Sequence, residues 1–430
     1  MSTKEVSAPR PDEEKAMSTV SDEPSKSTPP PHLTIPDGGT RAWLVVLGAM
    51  IINGCSFGYS SSFGVYQAYY QLNQLSSKTA SDIAWIGSIQ LCFMFAGGVV
   101  AGALFDRYGA RVIMVPACGA YVLAIMFTSL CTEYYQFILA QGVFGGLANG
   151  FLFSPAIAVV GHYFAKKRGA ALGMVAIGSS VGGVIIPIAL ERSFNSRVGF
   201  GWGVRAVGFV MLFLLAIACV LVKERLPPRA GRLFAPEAVR QKSYVLVVAG
   251  VFFLIWGVFI IYFFISGYAI SKIRMDTDLA FYLLSIINGA SLVGRLFFGF
   301  MSDKAGVLTL LSFVAVANGV LILCWTQTVN QAGLIAWSVI FGFMSGGIFS
   351  LFPAAIASVV PKPQFIGVYM GQSMAAFGIA GLSGGPIAGA IVSKYGFFDA
   401  AVFGGVSLLA GGALLVAARF THQPNWSVKA

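Results

Sequence analysis

The stretch "GALFDRYGAR", Gly102 to Arg111, has a counterpart in the second half of the chain, "GFMSDKAGVL", Gly299 to Leu308. Both copies contain the pattern Gly-x-x-x-Asp-(Arg/Lys)-x-Gly, and four positions correspond at an offset of 197 residues: Gly102, Asp106, Arg107 and Gly109 match Gly299, Asp303, Lys304 and Gly306. The first glycine permits two helices to approach closely, and the aspartate can cap a tight turn that the last glycine closes. The repeat therefore predicts one structural unit that is used twice.

Each copy lies between two long apolar runs. The chain is 57% hydrophobic and only 10% charged, whereas a soluble protein has about 25% charged residues. Continuous runs of roughly 20 apolar residues match the length of a transmembrane helix and lack the alternation of a barrel strand. The sequence thus predicts an all-α polytopic membrane protein with twelve transmembrane helices at 43–66, 83–105, 112–131, 136–160, 169–190, 203–222, 244–270, 279–301, 307–326, 332–357, 366–392 and 399–419.

The connectors between these runs divide the chain into five parts. Residues 1–36, rich in Ser, Pro, Lys and Glu and without an apolar signal segment, predict a disordered cytoplasmic tail. The longest internal connector, 223–243, predicts a cytoplasmic loop between two six-helix bundles at 37–222 and 244–419. Residues 420–430 are expected to form a cytoplasmic C-terminal tail.

The distribution of cations predicts the orientation. If the N-terminus is cytoplasmic, 20 of the 28 Lys and Arg residues lie on that side and only 6 on the other. Cations collect in the cytoplasmic loops of membrane proteins, so both termini are expected inside, with the plasma membrane as the default location. The same bias accounts for the net charge of +11. Nucleic-acid binding is not indicated, because the sequence has no basic domain outside the membrane segments.

The chemistry of metals, cofactors and catalysis is not indicated. The six cysteines stand singly inside apolar runs, without the spacing of a metal site or a disulfide framework. No Ser/His/Asp set, His-Glu-x-x-His motif or pair of carboxylates can be assembled inside the helices. We therefore expect neither an enzyme nor a bound metal or cofactor.

The repeated loop pattern resembles the signature of the major facilitator superfamily. That resemblance implies the superfamily's fold of two six-helix halves and transport by alternating access. It also implies a conformational or gating role for the loop residues Gly102, Asp106, Arg107, Gly109, Arg111, Gly299, Asp303, Lys304 and Gly306. The cations Lys166, Lys167 and Arg168 at the start of the fifth helix are candidates for gating or for attracting the substrate as well, although topology and contact with lipid headgroups are the ordinary explanation.

Two further segments resemble the monocarboxylate porter family in its fungal branch: "PDGGTRAW" at Pro36–Trp43 and "HYFAKKRGAALGMVAIGSSVGG" at His162–Gly183. This narrower resemblance implies a small organic acid as substrate. We accordingly expect a monomer in the lipid bilayer whose partner is a small organic anion, with a proton as a conceivable co-substrate.

The chain departs from that family at two charged positions. Animal members have a lysine in helix 1 and an aspartate four residues before an arginine in helix 8, whereas this chain has Ser61 and Ser291 at the first two positions and keeps Arg295. Asp82, Glu191 and Asp399 are at helix ends. A proton relay through a buried carboxylate is therefore not supported, and coupling through the acid's own proton or no coupling both stay open.

Arg295 is the leading candidate for substrate binding, because a cation inside a membrane helix is costly and a guanidinium can bind a carboxylate in bidentate fashion. The alternative is a structural pair with a backbone carbonyl, Asp106 or Asp303. The uncharged polar residues in helix interiors complete the predicted substrate-binding set: Ser291, Asn288, Asn53, Ser61, Asn149 and Gln372.

Three functions remain for the chain. The leading one is a secondary or facilitative transporter of a monocarboxylate or related organic anion, with Arg295 binding the anion. An exporter of a specialised metabolite such as a polyketide, or a vitamin transporter, is the alternative. A membrane sensor without transport is remote, because no large cytoplasmic output domain is present.

Overall fold

The computed structural model describes residues 37–164, 168–225, 235–361 and 366–422. The predictions for the tail 1–36, for Lys166 and Lys167, and for most of the central loop and the C-terminal tail lie outside these residues. The side chains of Asp106, Arg168 and Asp303 also lie outside the description.

Within the described ranges, twelve helices are long and apolar enough to cross a membrane, which confirms the all-α fold class. We number them α1 Thr40–Leu72, α2 Ala80–Tyr108, α3 Ala110–Thr128, α4 Tyr134–Val160, α5 Arg168–Phe194, α6 Gly199–Leu221, α7 Lys242–Ser271, α8 Thr277–Ala305, α9 Val307–Cys324, α10 Gln331–Ser358, α11 Ile366–Lys394 and α12 Phe397–His422. A short helix, Pro236–Arg240, precedes α7. Each predicted apolar run falls on one of these helices.

Successive helices run in opposite directions. We call the end of the bundle where α1 begins and α12 ends the terminal end, and the other the distal end. The helices α1–α6 are the first half of the chain and α7–α12 the second half. All twelve belong to one compact unit.

The two copies of the repeated motif form the same turn. Gly109 follows α2 with φ 86° and Gly306 follows α8 with φ 85°, a left-handed backbone that favours glycine. A Cβ at Gly102 would lie 3.6 Å from the Ser154 hydroxyl of α4, and one at Gly299 would lie 3.3 Å from the Ser350 hydroxyl of α10. The close helix approach predicted for both copies is therefore present in both.

Glycines bring α1 directly onto α5. A Cβ at Gly178 would lie 1.9 Å from the carbonyl oxygen of Met50, and a Cβ at Gly182 would lie 2.2 Å from that of Gly54. Contact at this range leaves no room for any side chain, as in small-xxx-small packing between membrane helices. The backbones of the two helices are thus in direct contact inside the first half.

The middle of α1 is not a regular α-helix. Residues Gly54–Gly58 form a π-helical segment, and Ser62, with ψ 0°, interrupts the helix again before Phe63–Leu72. A π-helical segment frees backbone carbonyls and is frequent at functional sites. The irregular segment lies near the middle of α1, where Gly54 and Gly58 pack against α5 and Phe57 meets Phe259 of α7 and Phe349 of α10.

Candidate functional site

Arg295 lies deep inside the bundle. It precedes the end of α8 at Ala305 by ten residues, which is about 15 Å along the helix at 1.5 Å per residue. Its side chain is only 3% exposed. A guanidinium at that depth costs at least about 2.5–3.5 kcal/mol on insertion scales, so the protein must satisfy its donors.

The contacts of Arg295 cross between the two halves. Its Nη1 donates to the carbonyl oxygen of Ala176 and to the hydroxyl of Ser179, both on α5. Its guanidinium carbon lies 5.3 Å from the centre of the Phe349 ring on α10, a cation–π arrangement. Its Nε has no hydrogen-bond partner among the described residues. The structure therefore gives the cation neutral partners and leaves one buried donor free.

A central aromatic cluster, consisting of Phe57, Phe153, Phe259, Tyr262 and Phe349, adjoins this cation. Phe57 belongs to the π-helical segment of α1, and its ring centre lies 5.4 Å from that of Phe349 and 6.4 Å from that of Phe259. Phe57 and Phe153 come from the first half and the other three rings from the second. The surroundings of Arg295 are therefore mostly aromatic, and both halves contribute to them.

Ser291 and Asn288 share α8 with Arg295. The Ser291 hydroxyl is buried without a hydrogen-bond partner among the described residues. The Tyr262 hydroxyl of α7 is also buried without one. Asn288 donates to the carbonyl of Leu284 at 2.9 Å and fills the space above Gly183 of α5. Ser291 and Tyr262 thus add two buried hydroxyls to the region of Arg295.

Asn53, Ser61 and Asn149 bond to backbone carbonyls at the irregular middle of α1 and on α5. Asn149 Nδ2 lies 3.4 Å from the carbonyl of Ser56, and Ser61 Oγ donates to the carbonyl of Gly58 at 2.8 Å. Asn53 Nδ2 donates to Val175 of α5 at 3.0 Å. Of these acceptors, the carbonyls of Ser56 and Gly58 belong to the π-helical segment of α1, where regular helical pairing is interrupted. The Oδ1 atoms of both asparagines have no hydrogen-bond partner among the described residues.

Gln372 lies elsewhere. Its side chain forms a pair of hydrogen bonds with the backbone of Ala235, at 3.2 and 3.3 Å, near the terminal end. It also lines an apolar cavity of about 520 Å³ between α2, α7 and α11. The structure brings Arg295, Ser291 and Asn288 together but separates Gln372 from them.

The described residues of the predicted gating set lie at the terminal end. Arg111 donates to the carbonyl of Val220 on α6 at 3.4 Å, and the guanidinium of Arg107 lies over the ring of Tyr108. Lys304 is exposed. Their role in conformational change stays a prediction.

One carboxylate is more buried than the sequence indicated. Glu191 is near the end of α5, yet only 3% of its surface is exposed. Asn195 donates to Glu191 Oε1 at 3.0 Å, and the same Nδ2 lies 3.3 Å from Asp278 Oδ1 of α8. Position at a helix end did not predict this burial, because α8 of the other half covers the residue.

Comparison with known proteins decides the family. The sequence model of the protein family described as Major Facilitator Superfamily matches residues 42–371. The chain belongs to the major facilitator superfamily. It is a membrane transporter by family, as the paired loop motif predicted.

Its relatives are fungal efflux proteins. This transporter is 46% identical to the aspyridones efflux protein apdF of Emericella nidulans, over 89% of this chain and 79% of that protein. It is 39% identical to the agnestins efflux protein AgnL12 of Paecilomyces divaricatus, over 91% and 90%, and 38% identical to the fujikurins efflux protein of Gibberella fujikuroi, over 92% and 86%. None of these three is named as a monocarboxylate porter.

A solved structure supports the fold. The human organic anion transporter MFSD10 superposes with a TM-score of 0.67 over 88% of this chain and all of that one. At 13% identity, the likeness is evidence for the shared fold alone.

Sequence reasoning missed part of this region. Phe349, Tyr262 and Ser179 are ordinary members of apolar runs, and nothing in their spacing singles them out. The one feature of the sequence that could have identified two of them is that Tyr262 and Ser179 place hydroxyl groups in the middle of membrane helices.

Proposed function

We propose that this transporter exports a small acidic specialised metabolite by alternating access, and that Arg295 binds the acidic group. The observation that carries the proposal is the buried guanidinium at the contact between the halves, with a free Nε donor beside an aromatic cluster. The efflux names of the relatives support export as the direction.

Arg295 couples binding to movement in this proposal. Its Nη1 donates to Ala176 and Ser179 of α5, and an incoming carboxylate or enolate would compete for the same donors. A charged acceptor forms a stronger hydrogen bond than a neutral carbonyl or hydroxyl. Substrate binding would therefore exchange the α5 contact for an anion contact and loosen one half from the other.

The distribution of contacts supports a conformation that is closed at the distal end. Apart from the bonds of Arg295 itself, the hydrogen bonds between the halves among the described residues join Ser81 to Pro386, Arg192 to Tyr282, Asn195 to Asp278 and Ser285 to Val184, all on the distal side of Arg295. With both termini in the cytoplasm, as the positive-inside rule favours, this is an inward-facing state. A metabolite would then enter from the cytoplasm.

The aromatic cluster favours a substrate larger than a simple monocarboxylate. Five rings provide apolar area and π-faces for a planar or aromatic skeleton, and Arg295 provides the anion contact. A small monocarboxylate remains the second candidate, because Arg295 is the charge that the monocarboxylate porter family retains. Ser61 and Ser291, in place of that family's lysine and aspartate, weigh against it.

Efflux measured in a yeast host tests both candidates. Cells that express the transporter are loaded with fungal metabolite acids, with the methyl ester of each acid, and with lactate, and retention is followed. We expect faster loss of the aromatic acids than of their esters, and no effect on lactate. Accelerated loss of lactate alone would establish the second candidate and refute the first.

The remaining expectations belong to the same proposal. The transporter would work as a monomer in the plasma membrane, with the lipid bilayer as its other partner. Fluorescent tagging and size analysis in detergent test these two points separately from export.

A further inference from the structure

The distal ends of α5 and α8 hold two carboxyl groups that share one donor. Asn195 is the residue between them, since its Nδ2 donates to Glu191 Oε1 and lies within 3.3 Å of Asp278 Oδ1. One amide nitrogen thus reaches both carboxyl groups, which brings Glu191 and Asp278 close together. Glu191 comes from the first half and Asp278 from the second, so the group forms only where the halves touch.

The group lacks one hydrogen-bond donor. Glu191 Oε2 is buried and has no hydrogen-bond partner among the described residues. Two ionised carboxylates cannot donate to each other, and like charges at such range do not both stay ionised at little cost. A single proton on Oε2 would supply the missing donor, which would point to the carboxylate of Asp278.

The charges around the group favour a bound proton. Arg192 of α5 is the cation beside Glu191, and its Nε lies 3.4 Å from the Tyr282 hydroxyl of α8. Glu191, Asp278 and Arg192 together leave one negative charge, and the exposed carboxylate of Asp276, which accepts from the backbone N–H of Asp278 at 3.1 Å, adds a second. A proton bound by the pair lowers this negative charge. The neighbouring α1 contributes the Tyr69 ring against Phe194 and α6 contributes Gly203 against Ser193, and neither brings a charge.

We infer that Glu191 and Asp278 form a proton-binding site that holds the distal end closed, and we call this pair the distal latch. The proton comes from water on the distal side, where Asp278 is exposed. It binds Glu191 Oε2 and completes an O–H···O bond to Asp278. When the halves separate, both carboxyl groups meet water and the proton returns to that solution.

This inference rests on the proposed alternating access and adds a ligand to it. Acid outside the cell would favour closure of the distal end after the metabolite has left, and so would favour the return to the inward-facing state. The latch lies at the helix ends, apart from the mid-depth cation Arg295, so proton and metabolite have separate sites.

The experiment uses the full chain in lipid nanodiscs without any metabolite. Hydrogen–deuterium exchange of peptides at the end of α5 and the start of α8 reports distal opening, corrected for the intrinsic pH dependence of exchange. Infrared difference spectroscopy reports carboxylic acid groups that lose their proton as the pH rises. The variants are Glu191→Gln and Asp278→Asn. Each replaces one carboxyl group with an amide, which can donate a hydrogen bond at any pH without binding a proton from solution.

We expect wild-type exchange at the distal end to rise from acid to alkaline pH, with loss of a carboxylic acid band over the same range. Both variants should lose the band and the pH response and stay closed throughout. The control is Asp276→Asn, because asparagine also caps a helix and Asp276 bonds to the backbone of Asp278 at 3.1 Å. This control should keep the wild-type response.

Three results would overturn the inference: exchange in the wild type that is independent of pH, a band that persists in both variants, or loss of the band without any change in exchange. Asp278→Asn alters an exposed side chain, so it remains informative if Glu191→Gln does not fold. The assay contains no metabolite, so a failure of export would leave its outcome unchanged.

Discussion

The contact of α2 with α11 and the contact of α5 with α8 both join the two halves, but different side chains form them. A Cβ at Gly389 of α11 would lie 2.7 Å from the Cα of Ser81 on α2, and farther along the rings of Phe95 and Phe377 meet. The α5–α8 contact instead carries Arg295 and Glu191. The first contact consists of close backbone and ring packing without charged groups, and we call it the steric joint. The second contact carries the groups that can bind an anion and a proton.

The largest effect should come from filling the steric joint. Gly389→Leu places a side chain where the backbone of Ser81 lies, and backbone cannot move aside as a flexible side chain can. We expect almost complete loss of export in the yeast assay, with the protein still present in the membrane.

The matched control is Gly371→Leu on the same helix, because a Cβ at Gly371 meets nothing within 4 Å. It should export at close to the wild-type rate. Normal export by Gly389→Leu would contradict a tight α2–α11 joint.

The next effect concerns Arg295. Arg295→Ala removes charge-assisted hydrogen bonds worth about 1.5–3 kcal/mol, so efflux of an acid should fall by about tenfold to a hundredfold. Arg295→Lys keeps the charge but loses the planar fork and should fall in between. The effect is measured as the efflux rates of an acid and of its methyl ester in each variant. An equal fall in the rates of acid and ester would show that Arg295 has a structural rather than an anion-binding role.

A smaller effect should follow from the ring over the cation. Phe349→Leu removes a cation–π contact worth about 0.5–2 kcal/mol, which predicts a moderate loss of the preference for acid over ester. Phe377→Leu is the counterpart in the α2–α11 contact, where the ring meets Phe95 at 6.3 Å. It should leave that preference unchanged, and a similar loss in both variants would remove the distinction between the two contacts.

The smallest effects should be equal in the two contacts. Ser81 Oγ donates to Pro386 at 3.0 Å across α2–α11, and Ser285 Oγ donates to Val184 at 3.1 Å across α5–α8. Each serine-to-alanine change should weaken the closed state by about 1 kcal/mol, and the double variant should show the sum. Hydrogen–deuterium exchange at the distal end measures the effect of each variant. Strongly unequal effects of the two single variants would show that one contact alone holds the distal end closed.

Most of the fold could be predicted from sequence because membrane helices are long and locally encoded. The apolar runs give the helix count through the thickness of the bilayer, and the repeated motif gave the two turns at Gly109 and Gly306. The irregular middle of α1 could not be predicted, since its freed carbonyls are satisfied by Asn149 and other donors that are distant in sequence.

The candidate site could be predicted only in part. Arg295 stands out in sequence because a charge in a membrane helix is rare, and Ser291 and Asn288 follow from helical spacing. Phe349 could not be identified, since aromatic residues are common in apolar runs and only packing shows which ring meets the cation. Glu191 was missed for a related reason: the helix that buries it belongs to the other half.

The most direct measurement is equilibrium binding to the purified transporter in nanodiscs, by calorimetry, with the acid that wild-type cells export fastest and with its methyl ester. Wild type and Arg295→Gln are compared. The account predicts that wild type binds the acid at least about tenfold more tightly than the ester, in line with about 1.4 kcal/mol or more from the guanidinium, and that Arg295→Gln binds the two equally. An acid preference that persists in Arg295→Gln would contradict the role given to Arg295.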